Sequence, residues 1–395
     1  MKNNNPSRRQ FLRVASLSAL GFSLPGSLRA HAASTLAANS RLVYIGTYTS
    51  GRSEGIYACR LDLATGELRR TGVTGSVVNP SFLTIDRQGQ YLYAVNEVND
   101  FEKKASGAIS SFSIDQKSGV LKFISQQPSA GADPCHLTLD SANRFVLVAN
   151  YTGGSVSVLP IHDGSLLAPV DLVQHHGSSA NPERQQGPHA HSVVLDKANR
   201  RLFVSDLGLD KIMIYDFDSQ RGKLTASREP WAKVKAGAGP RHFTFHPSGR
   251  WAYVINELDS SVTTFTYDGS RGVLREVQTL STLPADFAGK NSCAEIEVAP
   301  SGRFVYGSNR GHDSIVVFSI EQQTGKLKLV QHISTQGKTP RNFAIDPSGT
   351  FLLAANQNSD NVVTFRVNPE SGMLSPTGHV AEIPTPVCVS MSDKL

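Results

Sequence analysis

The segment Pro240–Asn256, PRHFTFHPSGRWAYVIN, recurs later in the chain as Pro340–Asn356, PRNFAIDPSGTFLLAAN. Each copy starts with proline and a short apolar run, turns at Pro-Ser-Gly, and ends a second apolar run at asparagine, which is typical of two strands joined by a tight turn. The same 16-residue separation joins Pro80 to Asn96 and Pro134 to Asn150, and Cys293 takes the proline position before Asn309. Corresponding positions can therefore be identified along the chain.

The repeat units begin at positions 80, 134, 188, 240, 293, 340 and 386, which are 46 to 54 residues apart. This period is typical of propeller blades of four strands rather than of helical solenoids. Runs such as Tyr91–Val95 and Phe145–Ala149 are rich in β-branched and aromatic residues, as strands are. The third unit, Pro188 to Asp206, is expected to carry two extra residues within His189–His191. The sequence therefore predicts an all-β, seven-bladed β-propeller with four antiparallel strands per blade.

The two ends of the chain are expected to share the last blade. The seventh unit, which begins at Pro386, has room for one strand only, whereas Arg41–Thr47, Gly55–Leu61 and Gly66–Arg70 supply three strands without a first one. One strand plus three completes a blade, and this closure leaves no innermost edge strand unpaired. We therefore expect a single propeller domain over residues 41–395.

The first 32 residues have the layout of an export leader. Ser7–Leu12, SRRQFL, precedes the apolar stretch Ala15–Leu28, and Ala30–Ala32 is a small-residue cleavage site. This pattern predicts a twin-arginine signal peptide, cleaved after residue 32 and followed by a short linker at 33–40. The alternative is a basic N-terminus with no targeting role. The predicted partner is the twin-arginine export machinery, and the predicted location is periplasmic or secreted.

Composition excludes several classes of function. Residues 1–32 contain five of the 39 basic residues and none of the 33 acidic residues, so 34 basic and 33 acidic residues remain after cleavage. This near-neutral balance, without later Lys/Arg runs, argues against nucleic-acid binding. No later stretch approaches the 18 apolar residues that a membrane span needs. Cys59, Cys135, Cys293 and Cys388 are widely spaced, so we expect buried free thiols and predict no metal or other cofactor.

Ionisable residues cluster where the repeats differ from one another. In an antiparallel blade, the start of strand one and the end of strand two lie side by side, so their variable residues should meet at one mouth of the central channel. Converging Arg, His and Glu suit an anionic ligand or a developing oxyanion. Strand-one starts supply Cys135, His136, His189, His191, Arg241, His242, Glu295, Arg341 and Asn342, and strand-two ends supply Tyr48, Glu97, Tyr151, Asp206, Glu257, Arg310 and Gln357.

Two structural alternatives stand beside this interpretation. Arg241, Glu257 and Arg310 could form an ion pair network that only stabilises the fold, since charged clusters are not confined to functional sites. His189 and His191 together with Asp206 could hold a metal ion, although two histidines two residues apart on a strand specify neither ligand number nor geometry. We retain no metal in the prediction.

Several motifs resemble those of the lactonase family of seven-bladed propellers. That family includes the propeller type of 6-phosphogluconolactonase and the fungal carboxy-cis,cis-muconate lactonizing enzyme. The resemblance extends from Arg41 to the C-terminus and implies the same propeller fold. It is carried by Tyr44–Thr49 (YIGTYT), Asn79–Leu83 (NPSFL), Glu183–Ser192 (ERQQGPHAHS), Asp206–Asp210 (DLGLD), Gly237–His242 (GAGPRH), Asn256–Ser260 (NELDS), Asn309–Ile315 (NRGHDSI) and Pro340–Phe343 (PRNF).

The resemblance implies cyclic ester chemistry at the channel mouth. By position in the motifs, the family's working residues correspond to His189 or His191, Arg241, Glu257 and Arg310, with the choice of histidine left open. The implied mechanism is water attack on a lactone carbonyl, with Glu257 or the histidine as base and the arginines on the oxyanion. No serine nucleophile elbow is present. Further candidate substrate-binding residues are His136, Arg184, Asp206, His242, Glu295, Arg341 and Asn342.

Two rival functions remain open at this stage. The same family includes lactone formation from a muconate, which would use the same arginines for carboxylates. A non-catalytic propeller could instead bind a protein or glycan through this face, because fold alone does not imply function. Arg241, Glu257 and Arg310 should lie within about 10 Å of one another if they share a small-molecule pocket. An export leader makes a phosphorylated intracellular sugar an unexpected substrate and favours an unphosphorylated lactone.

Overall fold

The computed structural model describes residues 39–392. The predicted leader at 1–32 and most of the predicted linker lie outside these residues, as do residues 393–395. Within the described range, no helix is long and apolar enough to cross a membrane. The helical content there is one 3₁₀ turn, Gln357–Ser359.

Residues 39–392 form 29 strands. Most are six to eight residues long and alternate with tight turns, as the repeat predicts. In chain order they are β1 (Ser40–Thr47), β2 (Gly55–Asp62), β3 (Leu68–Gly75), β4 (Leu83–Ile85), β5 (Tyr91–Asn96), β6 (Ala108–Ile114), β7 (Leu121–Pro128), β8 (Pro134–Leu139), β9 (Phe145–Asn150), β10 (Ser155–His162), β11 (Ser165–Leu166), β12 (Asp171–Gln174), β13 (Ala190–Leu195), β14 (Arg201–Asp206), β15 (Lys211–Asp218), β16 (Lys223–Lys233), β17 (Pro240–Phe245), β18 (Trp251–Asn256), β19 (Ser261–Asp268), β20 (Val273–Ser281), β21 (Ser292–Val298), β22 (Phe304–Arg310), β23 (Ser314–Ile320), β24 (Leu327–Ser334), β25 (Pro340–Ile345), β26 (Phe351–Asn356), β27 (Asn361–Val367), β28 (Leu374–Glu382) and β29 (Pro386–Met391).

The strands form seven antiparallel sheets, which confirms the predicted seven blades. Blades 1 to 6 begin with the inner strands β4, β8, β13, β17, β21 and β25, and blade 7 has the order β29-β1-β2-β3. Blade 2 carries the additional short strand β11, because both β11 and β12 pair with β10. Each inner strand contacts the inner strands of its two neighbouring blades, so the seven inner strands surround a central channel.

Blade 7 is closed as the sequence predicts. β29 pairs antiparallel with β1, with Ile45 opposite Val389 and Gly46 opposite Cys388. The thiol of Cys388 accepts a hydrogen bond from the Leu83 backbone N–H at 3.3 Å, which ties the closing strand to blade 1. A Cβ at Gly46 would lie 2.3 Å from the Pro80 carbonyl oxygen, so only glycine fits at this crossing.

Neighbouring blades are joined by a repeated contact. Gly325, in the turn after β23, has φ of 75° and lies so close to the Trp251 ring that a Cβ there would be 2.5 Å from ring atoms. The hydroxyl of Tyr253 donates to the carbonyl oxygen of the same glycine at 3.0 Å. Tyr306 makes the same bond to Gly372 in the next blade. The turns Gly325–Leu327 and Gly372–Leu374 therefore do more than reverse the chain, because each glycine packs against an aromatic ring of the preceding blade.

All four cysteines lie within the described residues and are buried free thiols, as predicted. Burial raises the pKa of the Cys293 thiol to about 12. Apolar clusters between adjacent blades hold the ring together without disulfide bonds. One such cluster joins Tyr253 and Ile255 of blade 4 to Val305 and Val316 of blade 5.

A chain ending at Thr385 should lose most of its stability. It lacks β29, so it loses the ladder to β1 and the burial of Val387 and Val389. Each buried valine contributes roughly 1.5 kcal/mol or more, against a total stability of about 5–15 kcal/mol. We expect a broad, low-temperature unfolding transition by circular dichroism. A chain ending at Ser392 retains β29 and should unfold like the full chain; equal melting temperatures for the two would disprove the closure.

Candidate active site

Bulges in the inner strands place single side chains at the channel mouth. The ladder between β17 and β18 pairs Pro240 with Asn256 and His242 with Ile255, so Arg241 is skipped. The same irregularity occurs in blades 2, 3 and 6, where the skipped residues are Cys135, His191 and Arg341. A bulge of this kind redirects the side chain of the extra residue. Three of the four skipped residues, Cys135, His191 and Arg341, line the cavity at the mouth.

The mouth contains a cavity of about 350 Å³. This is within the usual size range of small-molecule sites. Residues from six blades, together with Arg184 from the loop before β13, contribute to its wall. The lining residues are Glu97, Cys135, Tyr151, Arg184, His191, Glu257, Ser292, Arg310 and Arg341.

Glu257 is the centre of an arginine cluster in this wall. Its carboxylate lies 2.7 Å from Arg184, 3.1 Å from Arg241 and 2.9 Å from Arg310, so Arg241, Glu257 and Arg310 form one cluster, as expected. Arg241 is the one member of this cluster that does not line the cavity. Burial alone would raise the pKa of Glu257, but the charges of Arg310, Arg241 and Arg184 outweigh it and lower the pKa to about 2. Glu257 is therefore ionised at any physiological pH and has both oxygens occupied.

A second cluster forms the opposite wall, where blades 6, 7 and 1 meet. Arg341 donates to the Tyr48 hydroxyl at 2.8 Å, and this hydroxyl lies 3.0 Å from both carboxylate oxygens of Glu97. The Ser81 hydroxyl also donates to Glu97. Burial raises the pKa of Tyr48. Four guanidinium groups and two carboxylates thus surround the mouth, and this excess of positive charge suits an anionic group.

The structure distinguishes the two candidate histidines. Ala190, not Pro188, pairs with Asp206, so blade 3 has the same 16-residue spacing as the others. The predicted two-residue insertion is wrong, because Pro188 lies just before the strand rather than at its first paired position. His191 consequently occupies the skipped position and lines the cavity. Burial and the charge of Arg241 lower the pKa of His191 well below its ordinary value, so it is neutral at pH 7.

His189 and Asp206 contact other groups of the protein rather than the cavity. The His189 ring stacks on Tyr151 at 4.5 Å, and His189 does not line the cavity. Asp206 occupies the position of the recurring asparagine and is fully buried. Its carboxylate lies 2.6 Å from His175 Nδ1 and accepts the backbone N–H of His189 at 2.8 Å. Among residues 39–392, no three His, Cys, Asp or Glu side chains are arranged to hold a metal ion.

Four of the predicted substrate-binding residues form a deeper layer of the channel. His242 Nδ1 lies 2.8 Å from Glu295 Oε1, and the Asn342 amide donates to the other oxygen of Glu295. His136 stacks on Phe82 with ring centroids 4.0 Å apart. Burial raises the pKa of Glu295 to about 7, against the opposing charge of Arg241.

Comparison with known proteins identifies the family. The family described as lactonase, seven-bladed β-propeller, matches residues 42–391. The chain belongs to this lactonase family. A Bacillus subtilis protein named 6-phosphogluconolactonase is 38% identical over 304 residues, which cover 77% of this chain and 84% of the relative. The solved structure of the Pseudomonas aeruginosa periplasmic gluconolactonase is 36% identical, has a TM-score of 0.84, and covers 89% of this chain and 99% of its own.

A relative from Formosa agariphila, also named 6-phosphogluconolactonase, is 35% identical over 310 residues and covers 77% of this chain. The family resemblance carried by the sequence motifs is thereby confirmed.

The mouth cavity includes residues to which the sequence assigned no role. The sequence predicted that Glu97, Tyr151 and Cys135 lie at the mouth. The prediction came from their positions, since Glu97 and Tyr151 follow second strands and Cys135 lies at the start of a first strand. Ser292 was missed because it precedes the proline position of its unit; in the structure it pairs with Arg310.

Replacing Glu257 by glutamine should destabilise the folded protein by roughly 3 to 5 kcal/mol at pH 7, because the buried guanidinium groups lose their counter-charge. The ordinary carboxyl pKa of 4.5 falls to about 2 on folding, so this contribution is complete above pH 4.5 and is lost as the pH falls towards 2. The stability difference between wild type and variant should therefore shrink between pH 5 and pH 2.5. Urea denaturation followed by tryptophan fluorescence measures it.

The exposed Glu183, in the same loop as Arg184, provides the control for this measurement. Glu183→Gln should change stability by less than about 0.5 kcal/mol, as surface substitutions usually do. A Glu257→Gln variant as stable as Glu183→Gln at pH 7 would show that the arginine cluster does not depend on the carboxylate.

Proposed function

We propose that this protein hydrolyses a sugar lactone or a related lactone at the channel mouth. The observation that carries the proposal is the convergence of Arg184, Arg241 and Arg310 on Glu257 beside the neutral imidazole of His191. Relatives named 6-phosphogluconolactonase and the periplasmic gluconolactonase support the same substrate class.

The arginines have the position and charge to stabilise the reaction's oxyanion. Water attack on a lactone carbonyl develops negative charge on the carbonyl oxygen, and guanidinium groups held in place before the reaction stabilise that charge without reorganising. Arg241 is held by Glu257 and by the Ala294 carbonyl oxygen at 2.8 Å, and Arg310 by the Cys293 carbonyl oxygen at 2.7 Å. Glu257 then acts by orienting the arginines rather than by taking a proton. The general base that takes the proton of the attacking water is then one of the neutral imidazoles of the channel.

Purified wild-type protein should open gluconolactone or another sugar lactone, measured as acid release at constant pH. Arg241→Ala should lower kcat/KM by at least about 100-fold, on the scale of losing one oxyanion donor. His191→Ala should also lower activity, because His191 lines the cavity. His189→Ala is the matched control and should stay within about threefold of wild type, because His189 does not line the cavity.

The substrate panel separates the rival functions. Neutral, phosphorylated and carboxylated lactones are tested beside carboxymuconate, whose cyclisation is followed by ultraviolet absorbance. Ring closure of the muconate without hydrolysis of any lactone would replace hydrolysis by cycloisomerisation. No turnover of any compound would favour a binding protein.

We also propose that the protein is exported through the twin-arginine route to the periplasm or beyond. The support is the Ser7–Leu12 motif ahead of an apolar stretch, together with the likeness to a periplasmic gluconolactonase. Replacing both Arg8 and Arg9 by lysine should leave an uncleaved precursor in the cytoplasm, seen by cell fractionation. Arg13→Lys is the control and should be exported normally. Equal export of the double variant would contradict the route.

A further inference from the structure

A second, much smaller chamber lies in the channel next to the mouth cavity. Its volume is about 10 Å³, which is about the space that one water molecule needs. Glu97, Cys135 and Arg341 line both spaces, so these residues form the boundary between them. His242, Asn342 and Arg241 complete the polar wall of the chamber, together with Ser81. A water in the chamber would lie next to a substrate bound in the mouth.

His242 lines the chamber, and one nitrogen of its ring has no hydrogen-bond partner among the described residues. Its Nδ1 lies 2.8 Å from Glu295 Oε1, so the ring proton belongs on Nδ1 and the lone pair on Nε2. Nε2 is buried and has no hydrogen-bond partner among the described residues. Glu295 is itself held by the Asn342 amide and by the Ile296 backbone N–H at 3.0 Å. This is the arrangement of an imidazole oriented by a carboxylate, in which the free nitrogen can accept a proton.

The other groups in the chamber wall are less suited to this task. Glu97 accepts hydrogen bonds from Tyr48 and Ser81. Arg241 and Arg341 carry donors only. His191 lies in the cavity wall with its Nδ1 3.8 Å from the thiol of Cys135, and no carboxylate within residues 39–392 hydrogen-bonds to its ring.

We propose that His242 is the catalytic base that activates a water in this chamber, and that Glu295 is its positioning residue. The proposal rests on lactone hydrolysis as the function. Burial and the charge of Arg241 lower the pKa of His242 well below its ordinary value, which keeps the imidazole unprotonated near neutrality.

The reaction proceeds in two steps. His242 Nε2 takes one proton from the water while the water oxygen bonds to the lactone carbonyl carbon. The carbonyl π electrons move to the carbonyl oxygen, whose negative charge Arg241 and Arg310 stabilise. The tetrahedral intermediate then collapses and breaks the ring carbon–oxygen bond. The leaving ring oxygen receives the proton from His242, which gives the hydroxy acid and restores the neutral imidazole. In its ionised form, Glu295 stabilises the transient imidazolium.

The test compares kcat, KM and melting temperature of full-length variants on the lactone that wild type hydrolyses best. His242→Gln should lower kcat at least 100-fold and Glu295→Gln at least tenfold, with KM within about threefold of wild type, because the substrate is held in the neighbouring cavity. A purely structural role would lower the melting temperature without this separation of kcat from KM.

His175→Gln is the matched control. His175 also places Nδ1 against a buried carboxylate, that of Asp206, and also has a buried, unpartnered Nε2, but it lines neither the cavity nor the chamber. It should lower the melting temperature about as much as His242→Gln while kcat stays within about threefold.

Retention of more than a fifth of kcat in folded His242→Gln would overturn the proposal, as would loss of kcat in Glu97→Gln with His242→Gln unaffected. If His242→Gln does not fold, the test depends on Glu295→Gln, and an unchanged kcat of that variant would overturn the proposal. Failure of wild type on every lactone would instead refute the proposed function.

Discussion

The antiparallel pairing of β29 with β1 is the constraint on which the channel mouth depends. It completes the ring of inner strands, and it brings Tyr48, immediately after β1, between blades 6 and 1. The Tyr48 backbone N–H donates to the Thr385 carbonyl oxygen at 3.3 Å, just ahead of β29. From there the Tyr48 hydroxyl joins Arg341 to Glu97. A chain end that closes the fold therefore also builds one wall of the cavity.

Charge is the second constraint on the mouth. Burial and the charges of Arg310 and Arg341 lower the pKa of Arg241 to about 10, so its guanidinium remains ionised at neutral pH. A buried charge of this kind needs a partner, and Glu257 serves three arginines at once. One carboxylate cannot neutralise three guanidinium groups. The remaining positive charge faces the cavity, where an anionic substrate group or a developing oxyanion would supply the balance.

The fold was predictable because scaffold residues repeat. The spacing from Pro240 to Asn256 recurs in most blades, and the observed ladders pair these two residues directly. The mouth was predictable in outline because its residues are those that do not repeat.

The errors arose where a residue has the type expected at one kind of position but occupies another. Asp206 is ionisable but takes the scaffold position of asparagine, and its buried partner His175 comes from a distant loop. Pro188 has the residue type that begins the other inner strands, but the first paired residue of this strand is Ala190. The depth at which a side chain lies in the channel depends on the bulges of the inner strands. These bulges cannot be read from the sequence, because the bulged blades keep the same 16-residue spacing.

Two buried glutamates in this one channel lie in opposite electrostatic surroundings. Glu257 and Glu295 are almost equally inaccessible, 5% and 7% exposed, yet the pKa of the first falls to about 2 and that of the second rises to about 7. The difference lies in their neighbours, since Glu257 contacts three guanidinium groups, whereas Glu295 contacts a neutral imidazole, an amide and a backbone N–H. A carboxylate held permanently ionised suits the fixed orientation of cations. A carboxylate that holds Nδ1 of an imidazole whose Nε2 has no partner suits the orientation of that ring. Adjacent layers of a repeated scaffold thus fix the arginines of the mouth and, beneath them, an imidazole.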